Sequence, residues 1–539
     1  MSSWNLADCF DAVTEILGAE DALIQGANRR SWSQLERRAR NLAAWMLERG
    51  VSHQGKLAIY TYNHPAYMES VYAGFKAAMV PVNVNYRYRE EELRYLLENA
   101  DAEVVVVHED FAPTLARIRD RLPQLRAALV VSERDEADLS DLPEAESFER
   151  AAGDDRPPPQ VRRSGDDMLF LYTGGTTGMP KGAMWRQDDL FHRFVGGLPG
   201  SLPVDMEAYV TSVKNLPVRL RTLVGPPLMH GTGLFTALIG WLTGGAVVLL
   251  DNPKSFDAAE LWRVVERDKP TAISLVGDSF AKPMVRALEE EGRSYDISSV
   301  VRMTSSGVIW SQETKQALLK ANPNMILADS FSSSEALGLG VSVTTAAGPV
   351  KTGKFQLTDT TRLFDEKLRP VETKPGARGM VGSCRNQPVG YYKAPEQTAR
   401  TFVQIGEEHF SVPGDWAQVN EDGVSLTLLG RGSVCINSGG EKIFPEEVEE
   451  VIKRHAAVED AVVVGVPDEK FGEAVTAVLS LNDPATDPEA IKAFVKERLA
   501  GYKSPRHLVV VNEVYRTPSG KVDFKQTRKV ALAALGLEA

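Results

Sequence analysis

Cysteine is scarce: Cys9, Cys384 and Cys435 are the only three in 539 residues. So few thiols, so far apart, make neither a disulfide framework nor a zinc site, and they fit a reducing cytoplasm. A basic stretch ahead of an apolar core is also missing near the N-terminus, where Asp8 and Asp11 stand instead, so no export signal is expected. Basic residues are outnumbered, 61 Lys and Arg against 73 Asp and Glu for a net charge of −12, which argues against a nucleic-acid partner and leaves any anion site to local groups and backbone dipoles. Charge of either sign is lacking from Thr222 to Leu250, a stretch long enough to cross a bilayer. Pro226-Pro227, Gly231, Gly233 and Gly244-Gly245 interrupt it, so it reads as a loop, a short buried helix near Leu234–Leu242 and a buried strand Ala246–Leu250, with no stable membrane insertion.

What is present is a globular composition, 43% hydrophobic and 25% charged, in a chain too long for one practical core, so at least two units are expected. Helical and strand patterns alternate through the first part of the chain: helix Ser33–Arg49, strand Lys56–Tyr60, a helix near Tyr67–Ala78 and strand Ala102–His108. That is α/β layering. Ser132–Asp166, acidic and then proline-rich at Pro157-Pro-Pro159, reads as a surface excursion. A boundary is expected near Gly430-Arg-Gly432. Beyond it, helix Pro445–His455, strands Ala461–Val466 and Val475–Leu481, a helix capped by Asp487 with Pro488 in its first turn, and strand Leu508–Val511 form an α+β unit of about 110 residues, a normal domain size.

The densest chemistry lies in Leu171-Tyr-Thr-Gly-Gly-Thr-Thr-Gly-Met-Pro-Lys-Gly182, fed by the apolar strand Met168–Tyr172. Gly174, Gly175 and Gly178 let backbone N–H groups approach an anion closely, the hydroxyls of Thr173, Thr176 and Thr177 donate to phosphate oxygens, and Lys181 supplies a mobile positive charge. A Walker loop needs Gly-Lys followed by Ser or Thr; here Pro180 precedes Lys181 and Gly182 follows it, so this is a different phosphate loop.

The run resembles the first signature loop of the adenylate-forming enzymes, which include acyl-CoA synthetases, peptide-synthetase adenylation domains and luciferases. Later segments are similar to further motifs of that family. Asp329-Ser-Phe-Ser-Ser-Ser-Glu335 stands at its aromatic-Gly-x-Thr-Glu motif, with Phe331 at the aromatic place, Ser332 replacing the glycine and Ser334 at the threonine. The resemblance implies nucleotide contacts from Asp329, Ser330, Phe331 and Ser334. It makes Glu335 the magnesium candidate, since Mg²⁺ takes hard oxygen ligands and needs few from protein when ATP supplies the rest. Ser306 and Gly307 fall where the family has its turn beside adenine and the acyl chain. Asp415 of Pro413-Gly-Asp415 and Arg431 match the family's ribose contacts. Ser433 stands at the hinge, where Asp or Lys is common, and Asn437 replaces a lysine. Ser438-Gly439-Gly440 is implied to line the pantetheine passage. Lys521, in Arg516-Thr-Pro-Ser-Gly-Lys521, matches the lysine that bridges carboxylate and α-phosphate.

By resemblance the chain divides into a large N-terminal α/β domain, 1–430, and a small mobile C-terminal α+β domain, 431–539. The resemblance implies that it uses ATP, Mg²⁺ and coenzyme A to convert a fatty or bulky hydrophobic carboxylic acid to its thioester through an acyl-adenylate, with Lys521, Glu335, Thr173 and His230 at the reacting groups. His230 carries no anion to pair with a substrate ammonium, which disfavours amino acids. Trp185-Arg186 and Asn437-Ser-Gly-Gly440 resemble an actinobacterial branch that activates fatty acids and sterol side-chain acids. A fatty acyl-AMP ligase loading a carrier protein and a non-catalytic acyl-nucleotide sensor are the alternatives, and a homodimer is left open.

Overall fold

A computed structural model describes residues 3–537 apart from 135–136, 174–179, 197–201, 308–309, 349–352, 432–433, 435, 439–440, 469–471, 484, 500 and 518–521; at 431, 437, 441, 442 and 472 it describes the backbone only. Two compact units emerge, Met1–Thr352 with Ser383–Ser411, and Gly353–Gly382 with Val412–Ala539.

The first unit holds two sheets. In one, the parallel strands Ala127–Val131, Ala102–His108, Lys56–Tyr60, Val80–Asn83 and Met168–Thr173 lie side by side in that order, and Lys181–Arg186 closes the edge antiparallel. Val104 and Val106 enter one apolar cluster while Val105 and Val107 enter another, so both faces are covered. That is why this strand is a continuous valine run rather than an apolar–polar alternation. Capping sets the flanking helices: Ser31 and Gln34 form a reciprocal capping box at Trp32–Glu48, and His64 caps Pro65–Lys76. In the second sheet Ile326–Phe331, Arg302–Ser306, Ala272–Leu275, Thr222–Val224, Val247–Val248 and Asp21–Gln25 run parallel, with Gly340–Thr344 and Asn28–Ser31 antiparallel at the two ends.

The uncharged stretch resolves into strand Thr222–Val224, helix Gly231–Leu242 and the short strand Val247–Val248. Among the described residues no helix is long and apolar enough to cross a membrane. The Ser132–Asp166 segment departs from the expected surface excursion. Its helix Phe148–Gly153 buries Phe148, Ala151 and Ala152, Asn41 donates to Ala152 O at 3.0 Å, and Glu149 pairs with the nearly buried Arg38 at 2.8 Å. A few apolar side chains at helical spacing dock the segment on helix Trp32–Glu48, a signal that its overall acidity conceals.

In the second unit the antiparallel pair Asp415–Val419 and Ser425–Arg431 joins Lys354–Gln356 and the strand residues 378–382. C-terminal to it, Val458–Asp468 and Gly472–Leu481 form a long antiparallel ladder with His507–Val510 parallel at its side. Period-two alternation builds two layers here. Ala461 and Val463 pack with Val448, Ile452 and Ile491, while Val462, Val464 and Val466 pack with Ala531 and Leu532 on the opposite face. Asp487 caps Pro488–Lys496 as its sequence position predicts.

Candidate active site

The phosphate-loop hairpin is closed by its own strands. Thr173 sits directly opposite Lys181, at the end of six cross-strand pairs. Gly182 shows why the Walker pattern does not fit: a Cβ there would stand 2.5 Å from the Tyr172 ring, so neither Ser nor Thr has room. Gly174, Gly175, Thr176, Thr177 and Gly178 lie outside the described residues.

The buried Asn83 holds this hairpin to the turn that carries His230, and the half-buried Asn63 fixes the turn itself. Asn83 accepts from Tyr172 N at 2.6 Å and donates to Tyr172 O at 2.9 Å and to Met229 O at 2.6 Å. Asn63 donates to Pro226 O at 3.0 Å and accepts from Leu228 N at 2.7 Å. His230 follows as the residue before helix Gly231–Leu242, its N–H on Pro227 O at 3.0 Å. Gly233, in the first turn of that helix, is there for a steric reason, since a Cβ would approach Pro227 O to 2.4 Å.

Glu335 sits on a turn fixed from four sides. Trp185 Nε1 donates to Ser334 O at 3.1 Å, Ser411 Oγ donates to Glu335 O at 2.6 Å, Glu335 N donates to Ser333 Oγ at 3.2 Å, and Tyr391 Oη donates to Glu335 Oε1 at 2.9 Å. The same Tyr391 ring lies 5.9 Å from Lys181 Nζ. Thr173, Lys181 and Glu335 are therefore brought together on one side of the hairpin, with Tyr391 between the last two. Nothing in the sequence singled out Tyr391. Its only signal is Gly390-Tyr-Tyr-Lys-Ala-Pro395, a segment that lies antiparallel on Lys181–Arg186 through Val389 N to Met184 O, Met184 N to Gly390 O and Tyr392 N to Gly182 O, each at 2.9 Å.

Ser306 and Ser330 are register partners on adjacent parallel strands, with Gly307 just beyond at φ +91. They occupy the carboxyl edge of the sheet, where open α/β sheets bind ligands. Asp329 is engaged from within the protein: it pairs with Lys315, which is fully buried, and burial pushes its carboxyl up against the lowering effect of Lys315. Phe331 is buried and Ser334 contributes its carbonyl to Trp185.

In the second unit Asp415 and Arg431 face each other as a register pair, Asp415 being 8% exposed. Ser438 lies on strand Ile436–Ser438, paired with Gly472. Arg516 grips Asp460 with two hydrogen bonds, of 2.6 and 3.0 Å, and bridges Val522 across the segment that carries Lys521. Lys521, Ser433, Gly439 and Gly440 are outside the described residues. No group of three or more His, Cys, Asp or Glu suited to a metal ion occurs among the described residues.

The chain is similar to known proteins in sequence and in fold. The family model described as AMP-binding enzyme matches residues 12–382, and the one described as AMP-binding enzyme C-terminal domain matches 447–521. The chain is 36% identical over 535 residues to a 3-oxocholest-4-en-26-oate–CoA ligase of Rhodococcus rhodochrous, covering 97% of this chain and 95% of the relative. It is likewise 36% identical over 532 residues to a medium/long-chain-fatty-acid–CoA/3-oxocholest-4-en-26-oate–CoA ligase of Mycobacterium tuberculosis, covering 97% and 96%. In fold it is similar to the anthranilate CoA ligase AuaEII in complex with anthranoyl-AMP, with a TM-score of 0.84 at 22% identity over 100% of this chain and 99% of that one. With both family domains present in order and acyl-CoA ligases similar along its whole length, the chain belongs to the AMP-binding, adenylate-forming enzymes, in their acyl-CoA ligase branch.

Proposed function

We propose that the protein is an ATP-dependent acyl-CoA synthetase that activates a fatty or bulky hydrophobic carboxylic acid. The observation that carries this reading is its similarity, over 97% of the chain, to ligases whose names couple fatty acids and a sterol-derived acid to CoA. In the first half-reaction a carboxylate oxygen attacks the α-phosphorus of ATP, the bond to the β-phosphate oxygen breaks, and pyrophosphate leaves. In the second the CoA thiol loses its proton and its sulfur adds to the acyl carbonyl; AMP departs, leaving the thioester.

Thr173 and Lys181 suit the phosphates, the first as a hydroxyl donor and the second as a mobile cation. Lys521 suits the transition state in which carboxylate and phosphate approach each other. Asp415 and Arg431 suit the ribose hydroxyls, and Ser438, Gly439 and Gly440 a narrow thiol arm. Glu335 fits Mg²⁺: its carboxylate is half-buried, one oxygen is oriented by a neutral donor, and no described cation neutralises it. Mg²⁺, when bound, would neutralise charge on the nucleotide phosphates. His230 borders the acyl side. We further propose that the chain divides functionally into 1–430 and 431–539, with the smaller part pivoting about Ser433 between the half-reactions. The buried free thiols of Cys9 and Cys384 fit a reducing cytoplasm.

A panel of short, medium and long fatty acids, aromatic acids and sterol side-chain acids, assayed for CoA-dependent AMP formation, tests the reading. Turnover of long or sterol-derived acids is expected. Pyrophosphate release with no thioester would place the protein with carrier-loading ligases, and no pyrophosphate release from any acid would leave only a sensor.

A further inference from the structure

The two tyrosines of Gly390-Tyr-Tyr392 have opposite tasks. Tyr392 faces the sheet, its hydroxyl on Asp101 at 2.7 Å and its ring 4.9 Å from Phe170. Tyr391 turns toward Lys181 and Glu335. Its backbone N–H is fixed by Thr398 Oγ1 at 2.9 Å, and its ring meets Phe402 edge-on at 5.3 Å. Gly390 permits this placement, because its φ is +152 and a Cβ there would meet Thr398 Cγ2 at 2.7 Å. Arg193 anchors the start of the segment by donating to Asn386 O at 3.1 Å and Cys384 O at 2.8 Å.

Held in this way, the phenol presents one donor to one carboxylate oxygen, Glu335 Oε1 at 2.9 Å. Such a bond fixes the rotation of the carboxylate and leaves Oε2 as its remaining hard ligand. Outer partners of this kind set both the orientation and the affinity of a metal ligand. The same ring limits where Lys181 Nζ can rest, 5.9 Å from its centroid. A tyrosine needed only for packing would use its ring alone; here the hydroxyl ends on the magnesium candidate.

We propose that Tyr391 is a positioning residue: its hydroxyl holds Glu335 in the orientation that a nucleotide-bound divalent cation requires, and its ring braces Lys181. The inference rests on the adenylating reading above and concerns the cation-dependent half-reaction alone.

Tyr391→Phe keeps the ring and removes the hydroxyl. Its Mn²⁺ affinity, read by electron paramagnetic resonance with the α,β-methylene analogue of ATP, should fall about tenfold, within the range found for outer-shell partners. The Mg²⁺ concentration for half-maximal pyrophosphate release should rise in parallel. Thioester formation from supplied acyl-adenylate should not change. Mn²⁺ affinity within twofold of the unaltered protein would overturn the proposal and leave Tyr391 a packing residue. Tyr391→Leu should add a higher KM for ATP through loss of the Lys181 contact; should that variant fail to fold, the Phe variant still decides. An unaltered protein that binds nucleotide and Mn²⁺ yet never releases pyrophosphate would refute the acyl-CoA reading, while the Mn²⁺ titration would still judge Tyr391.

Discussion

Asn83 offers the sharpest test of how the fold supports the site. It is only 5% exposed, and its amide makes three short bonds, with Tyr172 N, Tyr172 O and Met229 O. Asn83→Ala leaves one donor and two acceptors buried without partners. Each orphaned group costs about 1–3 kcal/mol, less where water can enter. The carbonyls keep a second lone pair, so the low end applies and the sum is about 3 kcal/mol. At about 1.4 kcal/mol per tenfold, exchange of the Tyr172 amide should quicken by roughly a hundredfold or somewhat more if local opening limits it. Hydrogen exchange resolved to the Met168–Thr173 strand reads this directly and needs no two-state assumption for a chain of this size. Asn83→Asp separates polarity from volume: an ionised carboxylate still accepts from Tyr172 N–H but faces two carbonyl oxygens with no donor. That variant should be more stable at pH 5 than at pH 8, since protonation restores a donor. Unchanged exchange at Tyr172 in Asn83→Ala would refute the argument that this amide joins the hairpin to the His230 turn.

Lys521→Ala should slow adenylation by about a hundredfold, the loss of one transition-state charge contact, while thioester formation from supplied adenylate stays near normal; an equal fall in both half-reactions would make the lysine structural. Asp415→Ala should weaken binding of an ATP analogue about ten- to a hundredfold in calorimetry, the worth of charged hydrogen bonds to two hydroxyls; unchanged affinity in the folded variant would remove Asp415 from the site. Burial alone would raise the Asp460 carboxyl, but Arg516 and Lys453 outweigh it and hold it well below the usual carboxylate range. The stability it contributes is therefore complete above the unfolded value of about 4 and is lost as pH falls through the depressed one. Asp460→Asn should lower the urea midpoint of the second unit strongly at pH 7, with a gap to the unaltered protein that narrows below about pH 4; a gap independent of pH would contradict the pairing.

Local patterns were legible wherever their cause was local. Lys56–Tyr60 and Ala102–His108 appear with the bounds their apolar runs predict, and Asp487 with Pro488 starts its helix where capping rules place it. The opposition of Asp415 and Arg431 follows from a hairpin whose turn and strands can be read in sequence. Tyr391 and Asn83 were not legible, because their partners stand far off in the chain: Glu335 is 56 residues from Tyr391 and Met229 is 146 from Asn83. No periodicity marks a single polar side chain whose value lies in one remote bond. Trp185 stood out in sequence only as a branch marker, yet it carries the turn before Glu335. Asp329 lies in a recognisable motif whose wording gives no hint that Lys315 holds it.

Closure of the phosphate-loop hairpin also bears on engineering. The two strands are registered by six pairs of their own, and Gly390–Tyr392 adds bonds to the second of them. The register of the two strands is thus specified by their own pairs as well as by the residues between Thr173 and Lys181. The span can be treated as a cassette, exchanged with the corresponding loop of a relative to alter nucleotide preference while the scaffold stays constant. It is equally a place where the polypeptide can be cut and new termini introduced, for a split enzyme whose halves recombine on their own β-ladder.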